Sequence, residues 1–167
     1  AAATADKRAA PGGVAVDSSG DVFVADTSNK WVGMLAATSG TNYGIAMTAN
    51  RIYDIAGTGT ACAMHNVAGC SYNAAATSAQ PVAPGGVAGD SSGDVFVADT
   101  SNNWVGMLAA SSGTNYGISM TANSIYDIAG TGAACSTHTV AGCSYNGAAT
   151  SAKLAAPGGV AVDSSGD

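Results

Sequence analysis

The chain has 167 residues, a net charge of −6 and a pI near 4.4, its acidic groups all being Asp, against only five Lys plus Arg. That balance excludes binding to nucleic acid by counterion release, which needs clustered Lys and Arg, and it disfavours an anionic membrane surface for the same reason. No apolar run approaches the ~20 residues needed to span a bilayer, and the wealth of Ala, Gly, Ser, Thr and Asn implies a neutral, small-residue surface unlike that of a typical cytosolic protein.

Residues 11–83 recur almost letter for letter as residues 84–156, so that residue 11 aligns with residue 84 at a period of 73. Ala1–Ala10 align with Gly147–Ala156, and a further copy begins at Pro157. The expected organisation is 1–10 as the end of a preceding repeat, 11–83 and 84–156 as two full units, and 157–167 as the start of a third. Fixed-period self-similarity marks solenoids, propellers and arrays, in which each unit buries its apolar face against its neighbours. Ala1-Ala-Ala-Thr-Ala-Asp-Lys-Arg8 reads as repeat sequence rather than as a charged stretch followed by an apolar one. A targeting segment is therefore expected to be removed or to lie upstream.

Within one unit the elements follow in order. Gly13–Val16 reads as a strand, Asp17-Ser-Ser-Gly20 as a turn, Asp21–Ala25 as a strand and Asp26-Thr-Ser-Asn29 as a turn. Trp31–Leu35 and, after a longer connection, Ile52–Ala56 complete the set. Each run is short, β-branched or aromatic, and bounded by turn residues, which predicts a four-stranded antiparallel meander. Val22-Phe-Val-Ala25 is apolar at consecutive positions, so both faces of that strand must be covered; blades stacked around an axis do this. Gly57–Ala83 lacks periodicity and reads as a connection over one end of the blade.

Cys62 and Cys70 fall at the same positions of their unit as Cys135 and Cys143. The simplest pairing is Cys62 to Cys70 and Cys135 to Cys143, one small bridged loop per unit, which points to an oxidising, extracellular or cell-surface location. His65 and His138 lie between the paired cysteines. A metal site there is the competing reading, but the Cys-x2-His-x4-Cys spacing is wrong for the usual zinc knuckles. Asp17 with Asp21, and Asp90 with Asp94, are candidate oxygen ligands for calcium; Asp and Gly are also what a tight turn requires, and this reading is preferred. Asp26-Thr27 and Asp99-Thr100 read as turn residues closed by a side-chain-to-backbone bond.

Trp31, Tyr43, Trp104 and Tyr116 are the aromatic groups able to form a repeated binding platform, for instance against a sugar ring, or else to pack blade on blade. Ser, His and Asp recur equivalently in each unit, and nothing suggests an activated nucleophile. Gly57-Thr-Gly59 is too short to signal phosphate binding. No cofactor and no enzymatic activity are expected.

The order Pro11-Gly-Gly-Val-Ala-Val-Asp-Ser-Ser-Gly-Asp-Val-Phe-Val-Ala-Asp-Thr-Ser-Asn29, nearly repeated at Pro84–Asn102, resembles the NHL repeat of β-propeller proteins. Tyr43-Gly-x-x-Met-Thr-Ala-Asn50 and Ile52-Tyr-Asp-Ile-Ala-Gly-Thr-Gly59 are similar to its longer, secreted bacterial variety. The resemblance implies an all-β fold of tandem four-stranded antiparallel blades, incomplete in this chain. Trp31 and Trp104 stand where family members often carry Arg, and the basic face of RNA-binding members and the metal-binding histidines of lyase members have no counterpart. Propellers close with about 4–8 blades, so the expected partners are identical subunits or flanking repeats of the same polypeptide, in a ring or an open filament. An extracellular structural or interaction scaffold, self-assembling or part of a longer repeat protein, is the leading functional expectation, and a carbohydrate- or peptide-binding propeller module is the alternative.

Overall fold

The structure, a computed structural model, describes residues 2, 4, 7–61, 72–81, 83–135, 143 and 147–166. Every strand expected of the first unit forms: β1 (Pro11–Val16), β2 (Val22–Asp26), β3 (Trp31–Leu35) and β6 (Ile52–Ala56) make one antiparallel sheet in the order β1-β2-β3-β6. The connection between β3 and β6 carries a hairpin of its own, β4 (Gly40–Asn42) with β5 (Ile45–Met47). At three residues per strand it is too short for a period to register in the sequence.

The second unit repeats this plan with β8 (Pro84–Gly89), β9 (Val95–Asp99), β10 (Trp104–Leu108) and β13 (Ser124–Ala129), and with the hairpin β11 (Gly113–Asn115) and β12 (Ile118–Met120). Its sheet has a fifth member. β7 (Ala74–Ala75), from the connection after the first unit, pairs with β13, giving the order β7-β13-β10-β9-β8. Ala2 makes the corresponding bridge to Arg51 at the edge of the first sheet. The segment expected to lie over a blade end thus adds a short edge to the next sheet.

The two sheets stack with β1 against β8. Adjacent glycines make this close: a Cβ on Gly13 would lie 2.9 Å from the Gly86 Cα, and one on Gly86 would lie 2.8 Å from the Gly159 Cα. The Gly-Gly pair of each unit therefore lets three backbones approach in succession. Phe23, Ala25, Val32 and Met34 of the first sheet share a buried cluster with Val87, Val95 and Val97 of the second. On the second sheet's other side, Ala88, Phe96 and Met107 are buried with Val160 and Val162 packed against them.

Having neighbours on both faces, β9 is buried at all five positions, whereas β2, covered on one face, alternates between buried and half-buried. The continuous Val-Phe-Val-Ala run predicts cover on both faces; β9 has it, whereas β2 at Val22–Ala25 is covered only on the face toward the second sheet. Val14 and Val16, on the open face of β1, are 66% and 63% exposed, while Val87, the counterpart of Val14, is 6% exposed.

Candidate functional site

The most elaborate repeated geometry lies between successive sheets. In each unit the β4–β5-type hairpin turns through a Tyr-Gly pair, with φ 51° at Tyr43 and 74° at Gly44, and 53° and 75° at Tyr116 and Gly117. Positive φ at both central residues is the type I′ geometry that suits the twist of a two-residue hairpin. Tyrosine adopts it at a cost of roughly 1–2 kcal/mol, and the same strained residue at the same place twice calls for a compensating contact. The contact is intersheet. The Tyr43 hydroxyl donates to the Gly93 carbonyl at 2.7 Å, and the Tyr116 hydroxyl donates to the Gly166 carbonyl at 2.7 Å. The rings also meet Phe23 and Phe96 edge to face, with centroids 6.4 and 6.1 Å apart.

A second intersheet bond repeats at the same period. The Thr27 hydroxyl donates to the Pro84 carbonyl at 2.7 Å, and that of Thr100 to the Pro157 carbonyl at 2.8 Å. These threonines were expected to close their own turns. Instead each reaches the next unit, because the bulge at Gly12 or Gly85 shifts the inner strand's register and the glycine leaves room for the hydroxyl.

Each tyrosine contact walls a polar cleft. The first, about 290 Å³, is lined by Asp17, Asp21, Tyr43 and Asp90; the second, about 450 Å³, by Asp90, Asp94, Tyr116 and Ser165. The structure thus brings Tyr43 and Tyr116 together with the candidate calcium residues. Within the clefts these carboxylates hold turns: Asp17 Oδ1 accepts the Ser19 and Asp21 amides at 2.9 Å each, and Asp90 Oδ1 those of Ser92 and Asp94 at 2.9 and 2.8 Å. Asp21 and Asp94 accept the Ala37 and Ala110 amides at 2.6 and 2.7 Å. Among the described residues no group of three His, Cys, Asp or Glu side chains is placed to hold a metal ion. Burial, and then the charges of Asp17, Asp21, Asp94 and Asp90, push the Tyr43 phenol well above its ordinary pKa, so it stays a donor.

Trp31 and Trp104 stand apart from the clefts, against glycine turns. A Cβ on Gly59 would lie 3.0 Å from the Trp31 Nε1, and one on Gly132 would lie 2.8 Å from the Trp104 Nε1. Trp104 is buried and Trp31 half-buried. The Gly-Thr-Gly motif is the platform on which the indole rests. Cys135 and Cys143 form a disulfide with Cα atoms 5.7 Å apart; Cys62, Cys70, His65 and His138 lie outside the described residues.

One feature gave no clear signal in the sequence. Asp26 and Asp99 have no exposed surface. Asp26 accepts from the Ala9 amide at 3.0 Å, Asn29 Nδ2 at 2.9 Å and Arg8 at 3.4 Å. Asp99 accepts from the Ala83 amide at 3.1 Å, Asn102 Nδ2 at 2.7 Å and the Tyr72 hydroxyl at 2.8 Å. Arg8 lies over Gly33 as Tyr72 lies over Gly106, so the connection before each sheet plugs that sheet's buried carboxylate. The Asp-Thr-Ser-Asn signature hints at the Asn bond, but the plugging residue is remote and differs in kind between the two sheets.

No helix among the described residues is long and apolar enough to cross a membrane. No curated protein matches the chain. Residues 9–33, which hold β1, β2 and the start of β3, match the NHL repeat family model. The second unit repeats those residues nearly unchanged and in the same strand register, so both units carry NHL-like repeats, folded as antiparallel blades like those of a β-propeller and not closed into a ring.

Proposed function

We propose that this chain is an extracellular, non-enzymatic interaction scaffold whose units stack on further copies of the same repeat. One observation carries the reading. The full set of intersheet contacts, Thr hydroxyl to Pro carbonyl, Tyr hydroxyl to Gly carbonyl, and glycine on glycine, occurs between the first and second units and again between the second unit and residues 157–166. A contact that recurs unchanged at each step is a head-to-tail interface, which builds rings or filaments according to the rotation per step. The Cys135–Cys143 disulfide suits an oxidising compartment, and the turn-forming use of the cleft carboxylates favours a structural role for them. The test is the mass of the native particle under non-reducing conditions, by light scattering with negative-stain imaging. Rings or filaments of many subunits are expected; a particle of one chain mass that ignores concentration overturns the proposal.

The repeated clefts beside Tyr43 and Tyr116 favour a second reading, a module that holds carbohydrate or peptide and gains avidity from repetition. Titration with oligosaccharides while following the tyrosine signals by NMR tests it, and no perturbation at either ring would remove it.

A further inference from the structure

Resting on that assembly reading, we infer that Thr27, with Gly12 and Gly13, selects what stacks on a sheet: the face they form admits the bulged inner strand of another unit of this chain's own type and rejects an ordinary apolar strand. The junction between the two full units shows the fit. In β1 the register shifts between Pro11 and Gly13, leaving Gly12 as the extra residue of a bulge, and β8 has the same bulge between Pro84 and Gly86. The Thr27 hydroxyl donates to the Pro84 carbonyl at 2.7 Å. A Cβ on Gly12 would lie 2.6 Å from that hydroxyl oxygen and 2.6 Å from the Gly85 carbonyl oxygen, and one on Gly13 would lie 2.9 Å from the Gly86 Cα. Thr27 thus reaches the next unit through the gap that Gly12 leaves in its own sheet. Thr100 does the same past Gly85, donating to the Pro157 carbonyl at 2.8 Å.

Selection of a partner combines an attractive contact with one that refuses the alternatives. The attractive contact is the hydrogen bond. Proline has no N–H, so at position 84 the backbone offers an acceptor alone, and Thr27 takes it. The refusing contact is the approach of Gly12 and Gly13 to the backbone at Gly85 and Gly86, which leaves no room for a side chain between the sheets. Strand side chains alternate between faces, so a one-residue slip would set Val87, which packs toward Phe23, beneath Gly13. A two-residue slip restores the faces but carries the bulge and the Pro84 carbonyl about 6–7 Å from Thr27. Apolar stacking alone would be indifferent to the hydroxyl; this arrangement is not.

The test compares the full chain with Thr27→Val, which keeps the shape and removes the donor, and with Thr27→Ser, which keeps the donor. The ¹³C carbonyl signal of Pro84, 57 residues away in the other unit, reads the bond. The indole N–H signals of Trp31 and Trp104, one per unit, read the coupling of the units through a denaturant titration followed by NMR. Thr27→Val is expected to move the Pro84 signal upfield and to weaken the coupling about threefold to tenfold, as the loss of one hydrogen bond does, so that Trp31 unfolds ahead of Trp104; Thr27→Ser is expected to do neither. A Pro84 signal that stays in place, or coupling in Thr27→Val as tight as in the parent, overturns the inference and leaves apolar packing to choose the partner. A native particle of one chain mass would remove the assembly reading instead, while the selection between the two units would still be decided by the Pro84 signal.

Discussion

Asp99 is a carboxylate without exposed surface, and a buried charge is tolerable only when its hydrogen bonds are complete. Tyr72 supplies one of them from the preceding connection. Burial first, then the charge of Asp99 and the bond to it, raise the Tyr72 phenol well above its ordinary value of 10.0. A raised phenol pKa means that the folded state holds the proton more tightly than the unfolded chain. The stabilisation is therefore fully present below about pH 10 and is lost as pH rises beyond it. Tyr72→Phe removes a hydrogen bond to a charged acceptor, and we expect it to cost about 1.5–3 kcal/mol at neutral pH. The variant should also lose less stability than the parent between pH 9 and 11. Denaturant titrations at the two pH values read both effects; an unchanged midpoint at neutral pH would show that Asp99 does not depend on the phenol.

At the scale of elements, strands β1, β2, β3 and β6 were legible because each is a β-branched or aromatic run between Gly and Asp turns, and the repeat displays the pattern twice. The hairpins and β7 were not. Gly40-Thr-Asn42 and Ala74-Ala75 have no apolar alternation; the first is a strand because it pairs with β5 across the Tyr43-Gly44 turn, the second because the next sheet offers it β13 as a partner. For the same reason the clefts were half legible: Tyr43 and the Asp-Ser-Ser-Gly turns stood out singly, but only intersheet stacking places them together. Thr27, whose Asp-Thr-Ser-Asn setting reads as a turn, belongs to the interface. Gly86 is the element-scale test of that stacking, since its missing Cβ faces Gly159 at 2.8 Å and the Gly158 carbonyl at 3.1 Å. Gly86→Ala must push the backbones apart, and overpacking of this kind costs about 1–3 kcal/mol. The loss should appear in thermal melting, and the methyl signals of Val160 and Val162, which pack on the Phe96 cluster, should shift; methyl signals that stay unchanged would mean that the tail does not rest on Gly86.

For the whole molecule, stability is expected to be distributed along the stack, since each sheet contacts only its neighbours and the chain behaves as a short one-dimensional array. The composition acts at the same scale. The five basic residues are Lys7, Arg8, Lys30, Arg51 and Lys153, so residues 52–152 hold no site for a trypsin-like protease. Arg51 is exposed but lies at the start of β6, where it bridges to Ala2. Lys153 is half-buried, just beyond a 3-10 turn and one residue after the buried Ala152. Cleavage in the folded state requires local opening, and the region that opens most readily is the one with fewest covered faces. Among the segments that carry a cleavage site, that is the one holding Lys7, which is exposed and leads into β1, open on one side. Limited trypsin digestion should therefore cut first at Lys7, and only later at Arg51 and Lys153, to leave residues 52–153 as the persistent fragment. Mass spectrometry of a time course reads the order, and early cutting at Arg51 would place the weakest point at the junction of β5 and β6 instead. If stacking on further copies covers the open face of β1, the cut at Lys7 should slow as protein concentration rises, while the rate on a denatured sample should not change.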